Sequence, residues 1–367
     1  MHAGRHIPQL DGYRGFAALL VVVSHFANRT LVGMDLDNVL SGGPETWSLA
    51  DLQALVLGAF GNGAGQLGVM IFFSLSSFLM FHLYFDQPAT GYTISRYIVG
   101  RAARILPLYY FAVALAFLST LYLPWTYIEV GSDDLLGHIF FYKGTSVFWT
   151  LAPEIVFYLV FALIWRVSGG KHLVLAPAAL VIVLTSNLFP VVWRSYTVEF
   201  FMVGYCVWLY TRSPYRLRLT GWIAGAAVGV FCLSLFLHLP AVHKVLFGAP
   251  AWMGWQEIRY AALVFGLFVL VLDSSWLRAF FSWRPIRFVG EISFSLYLLH
   301  LFVLKGLYYI DVVGPDILSL AGATIVCIML STGLYYAYER PARKFIRQMF
   351  AKGWPEYNGR ASRTEPL

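Results

Sequence analysis

The stretch LDGYRGFAALLVVVSHF (10–26) sets Arg14 at the edge of an apolar run and His25 inside it, 25 − 14 = 11 residues apart. On an α-helix that spacing is about three turns, so both residues fall on one face, roughly 16 Å apart along the axis. An imidazole can move a proton near neutral pH or act as a nucleophile. A guanidinium grips phosphate through paired hydrogen bonds. A second basic pair, Arg101 and Arg104 in ISRYIVGRAARILPLYY, lies at i and i+3 on one face as another apolar run begins. Its expected depth is that of Arg14, and guanidiniums converging there suit a polyphosphate. SVFWTLAPEIVFYLVF adds Trp149 and Glu154. A carboxylate inside an apolar run is costly unless protonated, paired or facing water, and a histidine partner would serve. Pro153 beside it is expected to kink that helix and make room for a cavity.

Each of these residues has a plainer alternative. The arginines can be basic flanks snorkelling to lipid phosphates, His25 a satisfied core histidine, and Glu154 a residue of the headgroup layer. Later runs hold further polar residues: His82, Glu199, Glu291, Lys305 and, in GEISFSLYLLHLFV (290–303), Ser293, Ser295 and His300. Serines in apolar helices often bond to their own backbone. Cys206, Cys232 and Cys327 show no metal-ligand spacing and read as buried small apolar residues. No metal is expected. GNGAGQLG (61–68) lacks the strand–turn–helix context of a dinucleotide loop.

These side chains need elements to hold them, and the composition says which kind. The 367 residues are 59% hydrophobic and 12% charged, against a charged fraction of roughly 25% in soluble domains. Apolar runs near 13–31, 66–85, 102–122, 147–167, 172–190, 196–211, 221–239, 258–274, 292–310 and 317–338 approach the roughly 20 residues that cross a bilayer as helix. The predicted fold is therefore all-α, a polytopic integral-membrane bundle of about ten transmembrane helices. One set of alternate loops and helix ends holds 20 of the 26 lysines and arginines, which places that side, and both termini, in the cytoplasm. The net charge of +7 is then a matter of topology, and no nucleic acid is needed to explain it. The first run is expected to be a retained anchor, because His25-Phe26-Ala27 makes a poor cleavage site. The loop 28–65 is the longest and is expected on the outer side, where it can lid a site. Residues 1–345 form the membrane domain and 346–367 a polar cytoplasmic tail.

Taken in order, the motifs resemble the acyltransferase-3 family of integral-membrane acyltransferases, which O-acylate bacterial surface and secreted glycans. LDGYRGFAALLVVVSHF is similar to that family's opening helix, FFSLSSFLM to its second-span stretch, RAARILPLYY to its Arg-x-x-Arg, FWTLAPEIVFYL to its W-S/T-L-x-x-E helix, and ISFSLYLLHLFV and YERPARKFI to its last two signatures. Ser77 stands where the family commonly has glycine. The resemblance implies a multi-pass protein of the plasma (inner) membrane that takes an acyl group, usually acetyl, from cytoplasmic acyl-CoA to an extracytoplasmic glycan acceptor. It assigns Arg14, Arg101 and Arg104 to the phosphates of CoA, His25 and Glu154 to catalysis, and Trp149 and His300 to the acceptor. His25 acts either as general base or as the acyl-carrying nucleophile, with Glu154 orienting it. Other acyl donors, or acceptors other than polysaccharide, share the same pattern. A sugar or glycolipid transporter shares only the composition, and neither hydropathy symmetry nor a matched pair of broken helices supports it.

Overall fold

The computed structural model describes residues 6–30, 44–61, 63–123, 128–169, 197–214, 221–237 and 258–352, together with Val39, Val242 and Leu246. Among these residues there is no strand. The α-helices are α1 (Pro8–Thr30), α2 (Leu49–Gly61), α3 (Ala64–Tyr84), α4 (Gly91–Tyr122), α5 (Ser132–Ile139), α6 (Leu151–Ser168), α7 (Val198–Arg212), α8 (Gly221–Leu237), α9 (Ile258–Asp273), α10 (Ser275–Phe281), α11 (Arg284–Glu291), α12 (Ser293–Tyr309), α13 (Ile317–Leu334) and α14 (Arg340–Lys352). The expected run 172–190 lies outside the described residues; each of the others falls on a helix. Among the described residues, Leu49–Tyr84, Gly91–Tyr122, Ser146–Ser168 and Ile317–Lys352 are each long and apolar enough to cross a membrane, and counting two bent pairs makes six. This is fewer than expected. α1 is diluted by Asp11, Arg14 and His25, and α7 has only 15 residues.

Local signals set several boundaries. Thr90 and Thr93 cap α4 reciprocally: Thr93 N–H donates to the Thr90 hydroxyl at 3.2 Å, and Thr90 N–H to the Thr93 hydroxyl at 2.9 Å. Asp316 opens α13 by accepting from the Ser319 hydroxyl at 2.7 Å and from Ser319 N–H at 2.9 Å. Those bonds hold its carboxyl below the usual carboxylate range. Two bends escape a linear reading: α9 turns into α10 by 89°, and α11 into α12 by 76°. The sequence suggested no matched pair of broken helices. Among the described residues the two bent pairs follow one another directly, rather than occupying matching places in two halves as in inverted-repeat transporters.

α1 is the centre of the bundle, packed on α2, α3, α10, α11, α12 and α13. It is held at backbone distance. A Cβ on Gly12 would stand 1.9 Å from the Phe281 carbonyl oxygen, and one on Gly290 1.8 Å from that of Asp11. Only residues without side chains admit such an approach. The stretch 61–68 does similar work, since a Cβ on Gly68 would meet the Ala17 carbonyl oxygen at 2.5 Å. Ser77 is buried where α7 crosses α3, and the facing Gly204 would place its Cβ 2.7 Å from that of Ser77.

Several expectations are corrected. The region 28–65 includes a helix, α2, tied to α1 where the Ser24 hydroxyl donates to the Gly61 carbonyl at 3.1 Å. Cys327 is buried, but Cys206 and Cys232 are exposed on the outside of the bundle. The boundary at 345/346 falls inside α14, whose Phe350 lies 6.5 Å from the ring of Tyr92 on α4. Residues 353–367 of the predicted tail lie outside the described residues. Pro153 does not kink its helix, because it is the third residue of α6, in the first turn where no intrahelical bond is lost.

Gly290→Ala is expected to lower the thermal midpoint of the detergent-solubilised protein by several degrees, overpacking costing about 1–3 kcal/mol. Gly100→Ala, in α4 with nothing within 4 Å of the added carbon, should hold or raise the midpoint. Equal midpoints for the two variants would show that the α1–α11 crossing tolerates a side chain.

Candidate functional site

α1 is helical from Pro8 to Thr30, so Arg14 and His25 keep the roughly 16 Å axial separation read from their spacing. Each meets a different cavity. Arg14 lines a narrow one of about 50 Å³ with Arg104, Glu154, Ser76, Thr150, Ser293 and Tyr297 and an apolar wall from α3. His25 lines a second of about 240 Å³ with Asn28, Arg29, Leu301, Leu304, Lys305 and Tyr308. Between them, Ala18 and Val22 continue the same face of α1 and are buried.

The first cavity is lined by one carboxylate and two guanidiniums. Glu154 sits in the first turn of α6, where the positive end of the helix dipole favours an anion. Its Oε1 accepts from the Ser76 hydroxyl at 2.8 Å and from the Tyr158 hydroxyl one turn along α6. The sequence placed Glu154 toward the outer end of its span and Arg14 at the inner end; the structure puts both on one cavity. The stretch Ser146–Thr150 winds as a 3-10 turn before α6 begins.

Arg104 joins Arg14 in this cavity. Arg101 does not line it: its guanidinium lies 5.8 Å from the centre of the Tyr158 ring, behind Glu154. Thr150 and Tyr297 close the far wall, their hydroxyls 3.0 Å apart, and the Tyr297 hydroxyl also donates to the Val147 carbonyl at 3.1 Å. Trp149 packs edge-on against Phe73 at 6.4 Å.

At the other cavity the neighbour of His25 is an imidazole. The rings of His25 and His300 have centroids 5.1 Å apart. His300 is buried, its Nδ1 is 3.1 Å from the Leu296 carbonyl of its own helix, and its Nε2 has no hydrogen-bond partner. The hydrogen bonds of Glu154 thus run to Ser76 and Tyr158, while the ring beside His25 is that of His300.

The remaining polar residues of α12 divide between these surroundings. Ser293 lines the first cavity, and Ser295 donates at 2.5 Å to Glu339, a buried carboxylate on the π-helical turn Tyr335–Glu339. Glu291 accepts from the Tyr335 hydroxyl at 2.8 Å. His82 is buried and stacks on Phe78 with centroids 5.5 Å apart. Ser76, Tyr158, Glu339, Arg29 and Tyr308 were not singled out from sequence. Tyr158 had a signal, lying four residues after Glu154 on the same helix face. Glu339 stands in the YERPARKFI stretch with no role assigned to it there.

The family profile described as an acyltransferase domain matches residues 7–336. The chain is 23% identical over 354 residues to a putative acetyltransferase of Acidianus two-tailed virus, covering 92% of this chain and 90% of that protein. It is 22% identical over 406 aligned positions to the O-acetyltransferase OatA of Staphylococcus aureus, covering 99% of this chain but 61% of that protein. The chain therefore spans less than two thirds of the staphylococcal protein's length. It is also 26% identical over 307 residues to the exopolysaccharide production protein ExoZ of Rhizobium meliloti, covering 76% of this chain and 89% of that protein. No solved structure matches.

Ser295→Ala strips the buried Glu339 of its hydroxyl donor and is expected to cost about 1–3 kcal/mol, seen as a lower unfolding midpoint in detergent. Ser295→Thr, which keeps a hydroxyl, should recover most of the loss. An unchanged midpoint in the alanine variant would mean that the hydrogen bond does not hold the π turn to α12.

Proposed function

The chain belongs to the acyltransferase-3 family, and from that premise we propose that this acyltransferase moves an acetyl group from cytoplasmic acetyl-CoA to a hydroxyl of an extracytoplasmic glycan. The observation that carries the reading is the double use of α1, which presents Arg14 to one cavity and His25 to another about three turns on. A donor gathered from one side and an acceptor from the other require two such places on one rigid element.

The residues fit a phosphorylated donor. Arg14 and Arg104 line one cavity that holds a single carboxylate among its described residues, and guanidiniums are suited to phosphate oxygens by their fixed fork of donors. Arg101, seated on Tyr158, is placed to hold Tyr158 against Glu154 and thereby to fix the carboxylate's position. When bound, the donor supplies an activated thioester. His25 accepts the proton of the acceptor hydroxyl while the ester replaces the thioester, and returns it to the departing thiolate. His300, 5.1 Å away by ring centroid, orients the imidazole from α12. Trp149 backs Phe73, which lines the first cavity. The basic helix ends around Arg14, Arg101 and Arg104 then face the cytoplasm, and the His25 cavity opens toward the other side.

The test is transfer of label from radiolabelled acetyl-CoA by the purified protein in liposomes supplied with a crude glycan extract. Label is expected in the glycan fraction, and His25→Ala should reduce it about 100- to 10,000-fold, the range for loss of a general base. Arg14→Ala should raise the donor KM, and Glu154→Gln should lower transfer at normal protein levels. Full transfer by His25→Ala would remove the imidazole from the mechanism. Absence of both CoA release and glycan labelling in the folded wild type would favour a transporter.

A further inference from the structure

The cavity at His25 has a charge pattern that acyl transfer alone does not require. One face of α1 supplies His25, Asn28 and Arg29 at i, i+3 and i+4, and one face of α12 supplies Leu301, Leu304, Lys305 and Tyr308. Arg29 and Lys305 are close enough to repel each other. No carboxylate lines the cavity among the described residues. Two cations converging on one space, with no anion among the described residues of its walls, are stabilised by an anion that enters it.

One wall of the cavity is aromatic. The Arg29 guanidinium lies 5.9 Å from the centre of the Tyr308 ring, and the Tyr308 hydroxyl donates to the Phe26 carbonyl at 3.1 Å, fixing that ring to α1. An aromatic ring held in place with a cation over it offers an apolar edge and a charge to the same ligand. Arg29 follows His25 by one helical turn, about 6 Å along the axis. That distance is of the order of the gap between a carboxylate and a ring hydroxyl of a single uronic acid.

We propose that this cavity is the acceptor subsite and that it selects an acidic saccharide. The carboxylate or phosphate of one sugar sits between Arg29 and Lys305, its ring against Tyr308, and its hydroxyl toward His25. The assignment deepens the acyl-transfer reading and rests on it.

The test compares three acceptors in the radiolabelled acetyl-CoA assay: a glucuronic-acid oligosaccharide, its carboxyl-reduced neutral counterpart, and a phosphorylated counterpart. Each is run in phosphatidylcholine and in phosphatidylglycerol vesicles. The wild type is expected to favour an acidic acceptor about tenfold or more in kcat/KM, as charge-assisted hydrogen bonds allow, and whichever acid is better identifies the anion. In Arg29→Gln/Lys305→Gln the acidic-to-neutral ratio should fall toward one, mainly through KM. The charge-conserving Arg29→Lys/Lys305→Arg should keep the ratio and so controls for folding. Equal transfer to neutral and acidic acceptors overturns the subsite, as does a ratio that survives in the glutamine variant. A rate that follows phosphatidylglycerol content whatever the acceptor, and loses that dependence in the glutamine variant, assigns the cations to a lipid headgroup and also overturns it. A wild type that releases no CoA and labels none of the acceptors overturns the acyl-transfer reading itself, and the subsite with it.

Discussion

Everything chemical in this protein depends on how closely α1 approaches α11. At Gly15 of α1 and Gly290 of α11 the two backbones leave no space for even a methyl group. In a bilayer, where apolar side chains gain little by leaving lipid, such contact is a main source of helix association. It also positions α1 absolutely. A helix wedged against carbonyl groups cannot rotate without a clash, so the faces on which Arg14 and His25 stand are set by glycines.

With α1 fixed, the cost of polar groups away from water determines the rest. Glu154 is accommodated through the first turn of α6 and two hydroxyls. Glu339 is accommodated through Ser295. His300 keeps one nitrogen on its own helix and leaves the other without a partner.

Much of this was legible in the sequence, and the failures have physical causes. The apolar runs and the 11-residue spacing of Arg14 and His25 survive because helical period is a local property. The place of Glu154 in the first turn of a helix did not, because a continuous apolar run hides the switch from 3-10 to α winding at Leu151. Arg101 and Arg104 share a helix face, yet an aromatic ring from α6 separates Arg101 from the cavity, a fact no i, i+3 rule contains. The bends around Ser274 and Ile292 lie in a stretch that reads as an ordinary polar connection, since what folds it back is the distant backbone of α1. Arg29 and Lys305 look like isolated charges 276 positions apart; α1 and α12 bring them to one wall.

The π-helical turn at Tyr335–Glu339 carries a consequence for the 36-residue helical run Ile317–Lys352. A π turn holds one residue more than an α turn, so an angular register carried down from α13 is out of phase by about 100° once α14 begins. The two helices are therefore geared rather than continuous. Leu318, Ile325 and Met329 are shed from one azimuth, Phe345 and Met349 from another set independently. The gear is locked at Glu339, where the side chain points inward to Ser295. Residues gained or lost on either side of the turn would lengthen or shorten a helix, but one lost within it would swing the carboxylate out of the bundle.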